Sequence, residues 1–188
     1  MTLIEAIENA NRIALRLQGL KIRTDQRSRI AAACFAVSQQ HHNSILILLA
    51  NNPPLNATAF ALLRLLIEAT IRGLWVSHCA TDQQLEYFLK PEHKTLDTAS
   101  MINAIGVAAS ALGNLPETFK SFYKNNWNSL SAYTHTGDLQ VQRWLFSNDI
   151  KPNYSSAEVS EVVSRANDAG ELAATGMQAI TFQGAALL

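Results

Sequence analysis

The sequence predicts an all-α protein, an antiparallel bundle of six to eight helices, and three observations predict it. Apolar residues recur at helical spacing along nearly the whole chain. Alternating Val, Ile and Thr runs joined by glycine-containing hairpins, which would mark strands, are absent. Breaks bearing proline or glycine divide the chain into segments of helix length. No repeat, low-complexity tract or linker interrupts residues 1–188, so a single helical domain is expected.

The elements follow in order. Residues 2–18 place Leu3, Ile4, Ile7, Ala10, Asn11, Ala14, Leu15 and Leu17 mostly on one face, with Gly19 suited to the C-terminal cap. A second helix over 25–51, capped by Thr24 or Asp25, carries Ile30, Cys34, Val37 and the run Ile45 to Ala50. Pro53 and Pro54 must stop it, because proline lacks the amide proton and biases its predecessor out of the α region. The third, about 55–79, is apolar almost all round and is therefore expected at the centre. Thr81 to Gln84 reads as a capping box opening a short helix through Leu89, which Pro91 breaks. Further helices are expected over 95–112, ending near Gly113 and Asn114, and over 116–135, opened by Pro116 and closed by Gly137. A short one over 138–147 follows, and the Ser155–Glu158 box opens the last, to about 182.

Composition narrows the function classes. Apolar residues make up 48%, and fifteen basic side chains balance fifteen acidic ones, which argues against both a disordered chain and a polybasic binder. Cys34 and Cys79 are too few for a disulfide framework or a zinc cage. Glu5 and Glu8 stand where a signal peptide needs positive charge, and no run is apolar enough to span a membrane. A cytoplasmic protein without membrane partners is the expectation. No Walker A loop, GxGxxG, GxSxG or HExxH string is present, so no cofactor is expected. His41 and His42 are adjacent and point about 100° apart, so they cannot share a metal, and no metal site is expected.

Where the charges sit is more informative. Arg64, Glu68 and Arg72 stand at i, i+4 and i+8 in the apolar third helix and share one stripe. Such charges must be paired, solvated or gathered round a polar cavity. Two readings stay open, a ladder on a wet strip or a polar cleft inside the bundle. Helix 116–135 has an apolar stripe with Phe119, Phe122, Leu130 and Tyr133, and a polar one with Lys124, Asn128, Ser131 and His135. His135 closes that stripe at a helix end, where an imidazole can face a cleft. Gln140 and Arg143 could fold back to the same place. Residues 12–29 carry six basic side chains against Asp25, whereas the last helix is acidic, with Glu158, Glu161, Asp168 and Glu171 against Arg165. Mutually attracting helix faces explain this plainly; a phosphate-binding groove is the sharper alternative.

The segment Trp127 to Gly137 (WNSLSAYTHTG), followed by Gln140 and Arg143, resembles the signature of small uncharacterised bacterial helical proteins. Leu62 to Trp75 (LLRLLIEATIRGLW) resembles their other shared segment. Together these are similar to HEPN-like domains, whose motif pairs an arginine with a histidine a few residues later near a helix end. The resemblance implies a homodimer and a metal-independent endoribonuclease of a toxin–antitoxin or phage-defence system, using His135. RNA, and an antitoxin or other neighbouring-gene product, would be its partners. The motif's arginine position holds Asn128, so Arg64, Arg72 or Arg143 would have to supply the cation. Glu68, Asn128, Ser131, Tyr133, Thr136, Gln140 and Arg143 are the supporting candidates. The alternative is a non-catalytic bundle of the same fold that binds a ligand or a partner in the same cleft.

Overall fold

The computed structural model describes residues 1–88, 90, 96–108, 115–135, 137–145, 148 and 150–182, apart from the side chains of 87, 108, 115–120 and 122–124. Eight helices run through these residues: α1 (Leu3–Leu17), α2 (Gln26–Ala50), α3 (Asn56–His78), α4 (Asp82–Phe88), α5 (Thr98–Ala108), α6 (Leu115–Thr134), α7 (Asp138–Gln142) and α8 (Ser156–Ala179). The all-α bundle is therefore the fold. Caps set most of the boundaries. Thr2 with Glu5 and Ser155 with Glu158 form reciprocal boxes at α1 and α8. The Asp25 carboxylate takes the Ser28 amide, Thr81 and Gln84 exchange bonds ahead of α4, and Asp97 takes the Ser100 amide before α5. Gly19 turns the chain after α1 at φ +74, in the left-handed region that favours glycine. The expected breaks at Pro91 and at Gly113 and Asn114 lie outside the described residues, as do the side chains of Pro116, Phe119, Phe122 and Lys124.

Helix α3 is central, packing on α2, α5, α6 and α8. Its Leu63, Leu66, Ile67, Ile71, Leu74 and Trp75 join Phe35, Ile45 and Leu49 of α2 and Val163, Ala166 and Ala173 of α8 in one core. Phe35 fixes how closely these three helices approach. Its ring is fully buried between Gly73 and Gly176, where an added Cβ would fall 2.5 and 2.4 Å from ring carbons. Two buried hydroxyls are also matched across α2 and α3. Thr70 Oγ1 donates to the Leu66 carbonyl, so Ser38 is the donor in the 2.7 Å Ser38–Thr70 contact.

Three local expectations differ from the structure. In α1 the buried face centres on Ala6 and Ile13, while Ile4 and Leu15 are exposed. The helix is rolled because its polar side is also tied down, through Asn9 to Asn167 and Glu171 and through Arg16 to Glu171. The basic start and acidic end of the chain thus meet within the bundle at this pair. Helix α8 stops at Ala179 instead of running to 182. There the backbone pairs with the α1–α2 connection, Arg23 N donating to Ile180 O and Phe182 N to Lys21 O. Helix α7 ends at Gln142, short of 147, as Arg143 turns towards α8.

Candidate functional site

The C-terminal half of α6 lies on α3, and two contacts, Thr134 to Ala61 and Tyr133 to Phe60, fix its register. Thr134 Oγ1 donates to the carbonyls of Ala61 and of Leu130, at 3.1 and 2.9 Å. The Tyr133 ring meets Phe60 edge-on, with centroids 5.3 Å apart. Past the helix end, Gly137 N donates to Ala132 O at 2.7 Å. A Cβ at Gly137 would stand 3.1 Å from the Ala132 backbone, so this tight return suits glycine. His135 occupies the turn between, and its imidazole is exposed at the mouth of the α3–α6 junction.

Arg64 is the hub of that junction. Its Nε donates to Glu68 Oε1 at 2.9 Å, and its Nη1 lies 2.8 Å from Ser131 Oγ and 3.2 Å from His135 Nε2. The guanidinium carbon sits 4.5 Å from the centroid of Trp127, a cation–π contact. These bonds fix proton positions. Ser131 gives its hydroxyl proton to the Trp127 carbonyl at 2.8 Å and accepts from Arg64, so it is a support and not a free nucleophile. A guanidinium can only donate, so Nε2 of His135 is the acceptor and a neutral ring carries its proton on Nδ1. The resulting site has one anchored cation, one exposed imidazole beside it, and a carboxylate holding the cation from behind.

The other candidates separate from it. Arg72 is eight residues beyond Arg64, about 12 Å further along the helix axis, and has no bond to Glu68 or His135. It lines a different cavity with Arg29 and Cys34, so the three-residue stripe does not close on one cleft. Asn128 is exposed on the flank of α6 and makes no hydrogen bond to the cluster. Tyr133, Gln140 and Arg143 do not fold back to His135. They gather on the opposite side of α6 and tie α3, α6, α7 and the start of α8 together. Arg143 donates to the Tyr133 hydroxyl and pairs with Glu158, while Gln140 donates to Ala57 O and accepts from Tyr154. Burial pushes the Glu158 carboxyl up, but the Ser155 hydrogen bonds and the Arg143 charge outweigh it and hold it below the usual range. Thr136 lies outside the described residues. Trp127 and Thr134 were missed as site residues, although Trp127, Ser131 and His135 stand at i, i+4 and i+8 and share a face.

Among the described residues no group of three or more His, Cys, Asp or Glu side chains is placed to hold a metal ion. None of their helices is long and apolar enough to cross a membrane. His42 is wholly buried, both ring nitrogens lack a hydrogen-bond partner, and burial pulls its pKa down to about 4 against the raising effect of Glu171. It packs against Gly170 of α8, where a Cβ would stand 2.5 Å from Nδ1. That is a packing role.

No curated protein and no solved structure matches the chain. Residues 35–187, from the middle of α2 to beyond α8 and including the whole α3–α6 junction, match a family of unknown function, DUF6988. The chain belongs to that family.

Proposed function

We propose that the chain is a HEPN-like, metal-independent endoribonuclease in which Arg64 and His135 act on one phosphodiester. The carrying observation is the 3.2 Å approach of Arg64 Nη1 to His135 Nε2, which supplies from α3 the cation that Asn128 does not provide on α6. Exposure of His135 and fixation of Arg64 by Glu68 and Trp127 support the same reading. In the reaction, RNA displaces the Arg64 bond from Nε2 of one neutral His135, and that nitrogen takes the proton of the 2′-hydroxyl as its oxygen attacks phosphorus. The bond to the 5′-oxygen breaks, and a second imidazole, from His135 of the partner subunit in a twofold dimer, protonates the leaving oxygen. Arg64 stabilises the charge developing on the non-bridging oxygens. The products are a 2′,3′-cyclic phosphate and a 5′-hydroxyl. A cytoplasmic toxin or phage-defence role, restrained by an antitoxin from a neighbouring gene, fits such an activity.

The test is incubation with single-stranded RNA in EDTA. Wild type should cleave, and His135→Ala should not. The second reading is a non-catalytic bundle that uses the junction to hold a ligand or partner. The observation favouring it is that Arg64 already has bonds to Glu68, Ser131 and His135 and a ring beneath it. Intact RNA with wild-type protein, together with loss of a bound partner in His135→Ala, would establish that reading.

A further inference from the structure

A cavity of about 700 Å³ opens between α2 and α3, away from the Arg64–His135 junction. Ile30, Val37, Ala69 and Phe88 give it apolar walls, and two guanidiniums, Arg29 and Arg72, line it. No acidic side chain does so among the described residues. The usual sources of neutralisation are engaged elsewhere. Glu68, one turn before Arg72, bonds Arg64, and Asp82 pairs with Arg27. Arg72 Nε is buried without a hydrogen-bond partner, a costly state for a donor of this strength. Arg27, by contrast, is spent on structure, capping the Val76 and Ala80 carbonyls at the end of α3. Of the basic run 12–29, Arg29 is the member that faces this cavity.

We infer that this cavity is a binding site for a small amphipathic anion, an apolar body carrying one carboxylate or phosphate head. The volume lies in the range of small-molecule sites, and mostly apolar walls with a few placed polar groups are their usual lining. A planar guanidinium grips either head through paired hydrogen bonds. An anionic head would sit against Arg29 and Arg72, while the tail would cover Val37 and Phe88. Polynucleotides fit less well, because the apolar walls offer their further charges nothing.

Isothermal titration calorimetry with decanoate, decyl phosphate and decanol tests the site. Saturable binding of either anion below roughly 1 mM is expected, with decanol at least about tenfold weaker, a difference of about 1.4 kcal/mol. The tighter anion identifies the head. Arg72→Met should weaken that anion at least about tenfold and leave decanol unchanged. Val37→Glu, at a solvent-exposed position on the rim, should abolish anion binding without disturbing the fold. Decanol binding as tightly as the anions, equal affinity in wild type and both variants, or no saturable binding would each overturn the inference. None of these outcomes bears on RNA cleavage.

Discussion

Arg64 and His135 are 71 residues apart in the chain, yet Nη1 of one stands 3.2 Å from Nε2 of the other. The arginine is rooted in the central helix and half-enclosed, whereas the histidine lies in an exposed turn. A cation anchored by Glu68 and Trp127 therefore stands beside an exposed acid–base group. The tautomer is the first consequence. Nitrogen-15 NMR of wild type with the imidazole neutral should show His135 as the Nδ1–H form. Arg64→Ala should shift it towards the Nε2–H form; an Nε2–H ring in wild type would mean that the contact is absent in solution.

Glu68 should matter for stability through Arg64. The two side chains are 19% and 23% exposed, between the wet pair and the buried pair that the sequence alone allowed. Glu68→Ala is expected to cost about 1–2 kcal/mol in urea denaturation, below the several kcal/mol of a fully buried pair. Loss of less than a few tenths would place the pair effectively in solvent.

Arg143 separates support from chemistry. Arg143→Ala removes the donor to Tyr133 and the partner of Glu158, and should cost about 1–3 kcal/mol. It should change RNA cleavage little, because this network lies on the far face of α6. A loss of cleavage comparable to that of His135→Ala would return Arg143 to the site.

Packing at Phe35 gives a sharper test of the fold. Gly176→Ala would gain up to about 1 kcal/mol of helix propensity, but its methyl would overlap the ring held between α3 and α8. The net expectation is destabilisation of about 1–2 kcal/mol, read as a lower urea midpoint. A raised midpoint would show that the three helices pack less closely.

Much of this architecture was legible in the sequence. The helix starts at Thr81 and Ser155 were readable because each cap and its partner lie three residues apart, and Asp25 was one of the two caps open for α2. Half of the junction was readable for the same reason, since Arg64–Glu68 and Ser131–His135 are each one helical turn apart. Which arginine meets His135 was not. That depends on where α3 crosses α6, and on Glu158 drawing Arg143 to the opposite face. The end of α8 was hidden likewise, because its competitor is the backbone of residues 21–23 at the other end of the chain.

Acid should weaken the fold through His42. Burial depresses its pKa from 6.5 to about 4, so between these values the unfolded chain takes up a proton that the folded chain refuses. Stability is full above about 6.5 and falls as pH drops towards 4, by up to about 3 kcal/mol. His41 and His78, also lowered by burial, act in the same direction. Asp25 and Glu158 contribute only below their ordinary values of 3.8 and 4.5. Urea midpoints from pH 7.5 to 4.5 should therefore fall in wild type and fall much less in His42→Leu. Parallel slopes in the two proteins would remove His42 from this role.

The most direct test of the account is the chemistry of the RNA ends. Single-stranded RNA incubated with the protein in EDTA should yield 2′,3′-cyclic phosphate and 5′-hydroxyl termini, resolved by mass spectrometry. His135→Ala and Arg64→Ala should each reduce the rate by at least about a hundredfold. Products with 5′-phosphate ends, or cleavage undiminished in His135→Ala, would contradict the proposed mechanism.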